Sequence, residues 1–197
     1  LLDDVATLAL DASGAGLGRR GYRTLNGAAP LAETLAAALV LLARYDGHRP
    51  FLDPMCGSGT IAIEAALAAA NVAPGLRRSF AAEEWGMLPE GLFDRERERA
   101  QELRIQEEFD IAASDIDPEA IRIARIHAKQ AGVQVRFAVQ DLCSLQDKRA
   151  GVSLITNPPY GERLLDRREC ERLYKALGSL YRQREDWRFY VLTAHPG

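Results

Sequence analysis

Apolar residues along this 197-residue chain recur with two different periods. Short apolar runs of strand length alternate with longer segments that carry apolar positions at helical spacing. Phe51-Leu52-Asp53 reads as a strand and passes through a glycine loop into an Ala-rich helix from about Ile61 to Ala70. Asp110 to Asp115 reads as the next strand. Pro118 then opens a helix whose Ile121, Ala124, Ile126 and Ala128 form a partly apolar face up to Gly132. Val135 to Val139, Val152 to Thr156 and Trp187 to Thr193 read as three further strands. Between the last two, Arg167 to Gln183 reads as a helix with Leu173, Leu177 and Leu180 inward. Upstream, Val5 to Asp11 alternates weakly as a strand would. Pro30 starts a helix, with Leu31, Leu35, Leu39 and Leu42 on one face, that ends near Asp46-Gly47.

Strands that alternate with helices predict the α/β class: a doubly wound, Rossmann-like, mostly parallel sheet flanked by helices. One connection, 71–109, is too long for a simple crossover. Within it, Leu92 to Phe109 reads as a charged helix, and its alternating Arg95, Glu96, Arg97, Glu98 and Arg99 suit a solvated face. The length suits one compact unit. Residues 1–50 are expected to form an N-terminal extension, an Arg-rich loop and a helix, packed on a main domain of residues 51–197. The chain opens on Leu1-Leu2-Asp3-Asp4 rather than Met and stops soon after the fifth strand. Both ends read as cuts in a longer polypeptide, with C-terminal strands truncated.

Charge changes the picture little. The net charge is −3, which does not advertise a basic nucleic-acid-binding domain. Three lysines among 25 basic residues leave 22 arginines, an excess that a coding bias explains simply. Three scattered cysteines, Cys56, Cys143 and Cys170, fit a reduced, cytoplasmic protein without disulfides. No Cys or His spacing resembles a metal site, and no apolar run is long enough to cross a bilayer without charges.

The candidate chemistry sits at the strand ends. Asp53 leads into Pro54-Met55-Cys56-Gly57-Ser58-Gly59-Thr60, a loop whose glycines permit close approach of a ligand and whose following helix offers free N–H groups. No Walker lysine follows, and the spacing is not the dinucleotide fingerprint. An acid beside such a loop would repel phosphate and suits a ligand with a positive charge, as S-adenosylmethionine has. Asp115 at the second strand tip is placed to accept from ribose hydroxyls, Ile116 to wall an adenine ring, and Asp117 to cap the next helix. Asp141, followed by Leu142, is placed to accept from an adenine amine. The fourth strand ends in Asn157-Pro158-Pro159-Tyr160. Two prolines hold an extended backbone whose carbonyls no local helix uses, beside an Asn amide and an aromatic face. Such a loop can hold a nucleobase –NH2 and stack its ring; alone, it also suits a strand-ending turn with a packed Tyr. Near the N-terminus, Arg20, Tyr22 and Arg23 could grip phosphate and stack on a base, or form a solvated loop.

These motifs in this order resemble the class I S-adenosylmethionine-dependent amino-methyltransferases. Arg19-Arg20-Gly21-Tyr22-Arg23, Ala29-Pro30-Leu31 with Glu33 through Ala38, Asn71-Val72-Ala73-Pro74-Gly75 and Asn157 through Leu164 narrow the resemblance. Together they resemble the RNA methylase family that includes the large-subunit ribosomal RNA guanine-N2 methyltransferases. Its members are often labelled N6-adenine-specific DNA methylases from the shared Asn-Pro-Pro-Tyr. The resemblance implies S-adenosylmethionine as cofactor, held by residues 53–60, Asp115, Ile116, Asp141, Leu142 and Asn157. It implies transfer to an exocyclic amine at Asn157, Pro158, Pro159 and Tyr160, with Arg163 beside the RNA. It also implies an RNA partner, bound through a THUMP-type domain outside this chain. Adenine N6 as acceptor, or a non-catalytic cofactor- and RNA-binding module, stay open.

Overall fold

The computed structural model describes residues 8–25, 31–159 and 167–193. Five strands form one sheet: β1 (Phe51–Asp53), β2 (Ile111–Asp115), β3 (Arg136–Val139), β4 (Ser153–Thr156) and β5 (Arg188–Val191). Their spatial order is β3-β2-β1-β4-β5, and every neighbouring pair is parallel. The expected doubly wound α/β sheet is therefore present. The chain winds outward from β1 in one direction through β2 and β3, then returns to β1's other side for β4 and β5. The strand order reverses at the β1–β4 seam, where Phe51 pairs Ser153 and Leu52 pairs Leu154. Ligands of open parallel sheets bind at the carboxyl ends of strands beside such a reversal.

The two central strands are buried along their whole length, as expected of a sheet covered on both faces. On one side α1 (Glu33–Leu42) packs on α2 (Thr60–Ala69). Ala36, Val40 and Ala43 meet a helix that buries Ala62, Ala65, Ala66 and Ala69, and these small side chains let the two backbones approach closely. The leucine face expected for α1 is not the buried one. Leu31 and Leu39 reach the core edge, but Leu35 and Leu42 are exposed, because the partner helix is Ala-rich and accepts small residues between the helices. The charged helix is α3 (Leu92–Glu102). α4 (Pro118–Ala131) buries Ile121, Ala124, His127, Ala128 and Ala131. Asp117 caps it as expected, accepting from the Glu119 N–H at 2.8 Å, and Gly132 ends it in the left-handed conformation. α5 (Arg167–Gln183) packs Leu173, Leu177 and Leu180 against Leu52, Leu154 and Trp187 in a second core.

Two expected elements differ. α3 is shorter than its charge pattern suggests, because the chain leaves it to run across the end of α2. There the Ile105 N–H donates to the Ala70 carbonyl and Asn71 donates to the Leu103 carbonyl. Residues 8–11 are not a strand, and the rest of that expected strand lies outside the described residues, as does Pro30.

Gly59 shows how tightly the helices hold the glycine loop. Its φ of 82° is left-handed, and a Cβ there would stand 2.9 Å from the Ala124 Cβ and 3.1 Å from the Phe137 ring. At Gly57, φ is 50° and the space beside it is open. Gly57→Ala should therefore cost only the left-handed backbone strain, about 1 kcal/mol. Gly59→Ala adds a steric clash and should cost about 3 kcal/mol. Urea unfolding of both variants checks the difference.

Candidate active site

The sheet delivers its chemistry to one edge. Asp53, Asp115, Asp141 and Asn157 follow or end four strands that are adjacent in the order β3-β2-β1-β4. Parallel register places all four at the carboxyl edge, with the glycine loop between β1 and α2 beside them. The backbone ties this edge together. The Cys56 N–H donates to the Ser114 carbonyl at 2.9 Å, and the Gln140 N–H donates to the Asp115 carbonyl at 2.9 Å.

Asp53 lies at the reversal itself, fully buried. Its Oδ1 accepts from the Thr156 hydroxyl at 2.7 Å and from the Met55 N–H at 3.2 Å. Its Oδ2 is buried with no hydrogen-bond partner among the described residues. Burial pushes this carboxyl up to about 7, while the Thr156 and Met55 hydrogen bonds pull it down. A buried carboxylate oxygen with nothing to accept from costs stability unless a cation or donor reaches it. That is the feature a ligand ammonium would satisfy.

Asp115 plays two local parts. Its Oδ2 accepts from the Gly57 N–H at 2.8 Å, which pins the glycine loop, and its Oδ1 accepts from the Asp117 N–H at 3.0 Å. A carboxylate has about four lone-pair sites, so room remains for a diol. Ile116 beside it is 64% exposed, an uncovered apolar side chain at the strand edge. Asp141 caps the short turn Leu142–Ser144 by accepting from the Cys143 N–H at 2.9 Å, with Arg172 3.4 Å from its other oxygen. The side chain of Leu142, expected at the ligand, packs into the core with Val152, Leu154, Leu177 and Trp187, which leaves its backbone as the part that could face a ligand. Cys56 and Thr60 are also buried, and Pro54 is among the fully buried side chains. In those positions the loop offers its backbone rather than these side chains. Ser58 and Met55 are half-buried.

At the β4 tip, Asn157 and Pro159 are half-buried and Pro158 is buried. The Pro159 carbonyl accepts from the Cys170 thiol of α5 at 3.5 Å. Tyr160 and Arg163 lie outside the described residues.

The arginine-rich segment sits in surroundings that do not suit RNA. Tyr22 is 3% exposed, so no ring face is open to a base. Its hydroxyl donates to Glu64 at 2.9 Å, and burial together with that carboxylate pushes the phenol well above its usual range. Arg20 bridges the same Glu64 at 3.2 Å. Arg23 donates to the Leu31 carbonyl and to Glu33, each at 3.0 Å. Residues 20–25 thus form a strap across α1, α2 and α4 that is internally paired. For Arg20 and Tyr22 the reason is Glu64, a buried acid on α2 that takes their donors and that nothing local in the sequence marks. A cleft of about 280 Å³ opens beside this strap, between α1, α2 and the loop 71–77, away from the strand tips. Among the described residues no cluster of His, Cys, Asp and Glu could hold a metal ion, and no helix is long and apolar enough to cross a membrane.

Comparison with known proteins bears on this arrangement. Residues 20–196 match the model of the UPF0020 family, described as RMKL-like, methyltransferase domain. The chain belongs to this family. It is 41% identical over 198 residues to YpsC of Bacillus subtilis, covering 99% of this chain and 51% of that protein. It is 41% identical over 191 residues to the ribosomal RNA large subunit methyltransferase K/L of Vibrio campbellii, covering 89% of this chain and 26% of that protein. The chain thus spans about half of one relative and a quarter of the other. Its fold superposes on a Listeria monocytogenes protein described as a predicted N6-adenine-specific DNA methylase, with a TM-score of 0.88 and 42% identity over 94% of this chain and 50% of that one. SMU.472, solved in complex with SAH, superposes with a TM-score of 0.88 at 39% identity, over 94% of this chain and 49% of that one.

Within this family frame the buried Asp53 yields a sharp pH expectation. Its carboxyl is raised in the fold, so the folded protein binds a proton that the unfolded chain has already lost. That contribution to stability is present at low pH and disappears as pH rises through about 7. Between pH 6 and 8 the wild type should lose about 1 kcal/mol relative to Asp53→Asn, which carries no such titration. Urea unfolding of both proteins at the two pH values measures the difference.

Proposed function

We propose that this chain is an S-adenosylmethionine-dependent methyltransferase domain that acts on the exocyclic amine of a nucleobase in RNA, with guanine N2 of ribosomal RNA as the acceptor. The observation that carries the proposal is the row of polar groups on four adjacent strand tips, with an Asp53 oxygen at the sheet's reversal that has no partner among the described residues. The family membership and the SAH held by SMU.472 support the cofactor. The name of the Vibrio relatives supports ribosomal RNA as the acceptor.

In this reading Asp53 meets the positive methionine end, the backbone of residues 54–60 lines it, Asp115 accepts from the ribose, and Ile116 and Asp141 flank the adenine. The cofactor supplies an electrophilic methyl group on a sulfonium. The chain's own work is to hold the acceptor. An aromatic exocyclic amine is a weak nucleophile because its lone pair is delocalised into the ring. Asn157 and the Pro158 carbonyl would accept its two hydrogens, which localises the lone pair and aims it. Tyr160 would stack on the extruded base. Neither step needs a general base of high pKa; positioning and fixed dipoles supply the rate. The two internally paired arginines of the strap make RNA affinity depend on surfaces elsewhere, for which a THUMP-type domain of the longer protein is our proposal.

The description of the Listeria neighbour as an N6-adenine-specific DNA methylase favours a second reading, transfer to adenine N6. Both readings share one acceptor geometry, so the substrate decides between them. Ribosomal RNA lacking methylation, incubated with the protein and labelled cofactor, should acquire N2-methylguanine; N6-methyladenine instead would establish the second reading. Asn157→Ala should lower transfer about 100-fold or more while isothermal titration still shows cofactor binding. Unchanged transfer in that variant would remove Asn157 from the chemistry, whereas cofactor binding without any transfer by the wild type would favour a non-catalytic binding module.

A further inference from the structure

His127 stands inside α4, 1% exposed, between the strap and the glycine loop. Its Nδ1 lies 3.4 Å from the Ser58 carbonyl in the loop. Its Nε2 lies 3.4 Å from the Leu25 backbone N in the strap. The edge of the Tyr22 ring packs near it, with centroids 6.4 Å apart. An N–H can only donate, so Nε2 must accept from Leu25. Nδ1 must then carry the proton and donate to Ser58, because a carbonyl can only accept. Both contacts are made at once only by the neutral imidazole with its hydrogen on Nδ1.

We propose that His127 is a positioning residue for the cofactor loop: as the neutral Nδ1–H tautomer it ties the Ser58 carbonyl to the Leu25 amide, so that strap and glycine loop keep one relative position. The inference rests on the reading of that loop as the cofactor cradle. Its physical content is a division of labour around one loop. Asp115 holds the front of the loop through the Gly57 N–H, and His127 holds the next residue from behind through its carbonyl. With Gly57 open on one side and Gly59 clamped by Ala124 and Phe137, Ser58 is the point at which the loop needs a tether. The strap gains the same anchor in a row that also includes Arg20 and Tyr22 on Glu64, Arg23 on Glu33 and Thr24 on Gln130.

The charged groups that face the imidazole are Arg23 of the strap and Glu33 of α1, themselves paired at 3.0 Å. Burial favours the neutral ring, Arg23 does the same, and Glu33 opposes it. Adding a proton would set an Nε2–H against the Leu25 N–H and release the strap end of the tether. The tether therefore weakens as pH falls.

The test is isothermal titration of the chain with S-adenosylhomocysteine, comparing wild type, His127→Phe and His127→Gln, each with a thermal unfolding curve. Phe fills the space without hydrogen bonds; Gln offers an –NH2 that donates and a carbonyl oxygen that accepts. At pH 7.5 Phe should weaken binding about three- to tenfold and Gln by no more than about twofold. Asp53 titrates in wild type and in the Gln variant alike, so the ratio of their affinities isolates His127. That ratio should hold through the usual imidazole range, where burial keeps the ring neutral, and fall only at lower pH. Long-range proton–nitrogen correlation of the wild-type imidazole should show the Nδ1–H tautomer, a readout that no variant's folding affects. Equal affinity of wild type and Phe, equal weakening by Phe and Gln, or an Nε2–H ring would overturn the proposal. A folded wild type that binds no S-adenosylhomocysteine would overturn the cofactor reading first, and the tether with it.

Discussion

One buried carboxylate governs the architecture of the strand-tip edge. Asp53 has no exposed surface, yet it stands where the strand order of the sheet reverses. Its hydrogen bond from Thr156 joins the ends of β1 and β4, the two strands that diverge there. A neutral side chain would make the same join at less cost, since burial disfavours the ionised form. An acid retained at that cost, with one oxygen that finds no partner among the described residues, makes sense when something positive completes it. The rest of the edge is arranged around this point. The loop that follows Asp53 is bent by left-handed glycines, anchored to β2 by Cys56 and Asp115, and backed by α4.

The helices explain why the loop can be so exposed in backbone and so rigid in place. α2 begins at the loop and is buried along almost its whole length, including Glu64. Small side chains on α1 and α2 bring the two helices together, and α4 closes on Gly59 from the other side. The strap then crosses all three helices. A buried acid normally costs several kcal/mol if left alone. Here Arg20 and Tyr22 satisfy Glu64, and the segment that carries them becomes part of the fold. Arg20 and Tyr22, which read as nucleic-acid contacts in the sequence, serve in the fold as the counter-charge and donor of an interior acid.

The sheet itself was largely legible in the sequence. Apolar runs of strand length at Phe51, Ile111, Arg136, Ser153 and Arg188 all became parallel strands, and Asp117-Pro118 began a helix as its chemistry demands. These succeed because burial on both faces and capping are local in sequence. The leucine stripe of α1 misled for the opposite reason. Periodicity shows that a face is apolar but not how large its partner is, and an Ala-rich partner selected Ala36 and Val40 over Leu35 and Leu42. At Leu142 the side chain likewise turns inward to Trp187, while its neighbour Asp141 lies at the edge. The pairings of Thr156 with Asp53 and of Glu64 with Tyr22 span 103 and 42 residues, and nothing local announces them.

The same distinction separates two kinds of polar residue in this domain. Those legible as a candidate site, Asp53, Asp115, Asp141 and Asn157, stand at or just after strand ends, on the carboxyl edge of the parallel sheet. Those that hold the site, Thr156, Glu64 and His127, sit within a strand or helix and face inward, so their role depends on what packs against them. A strand tip advertises chemistry because every parallel strand ends on the same side. An interior position advertises nothing until the partner helix is in place. The precision of the edge therefore comes from residues that composition and motif leave unmarked: Thr156 fixes the seam from below, and α4 fixes the loop from behind.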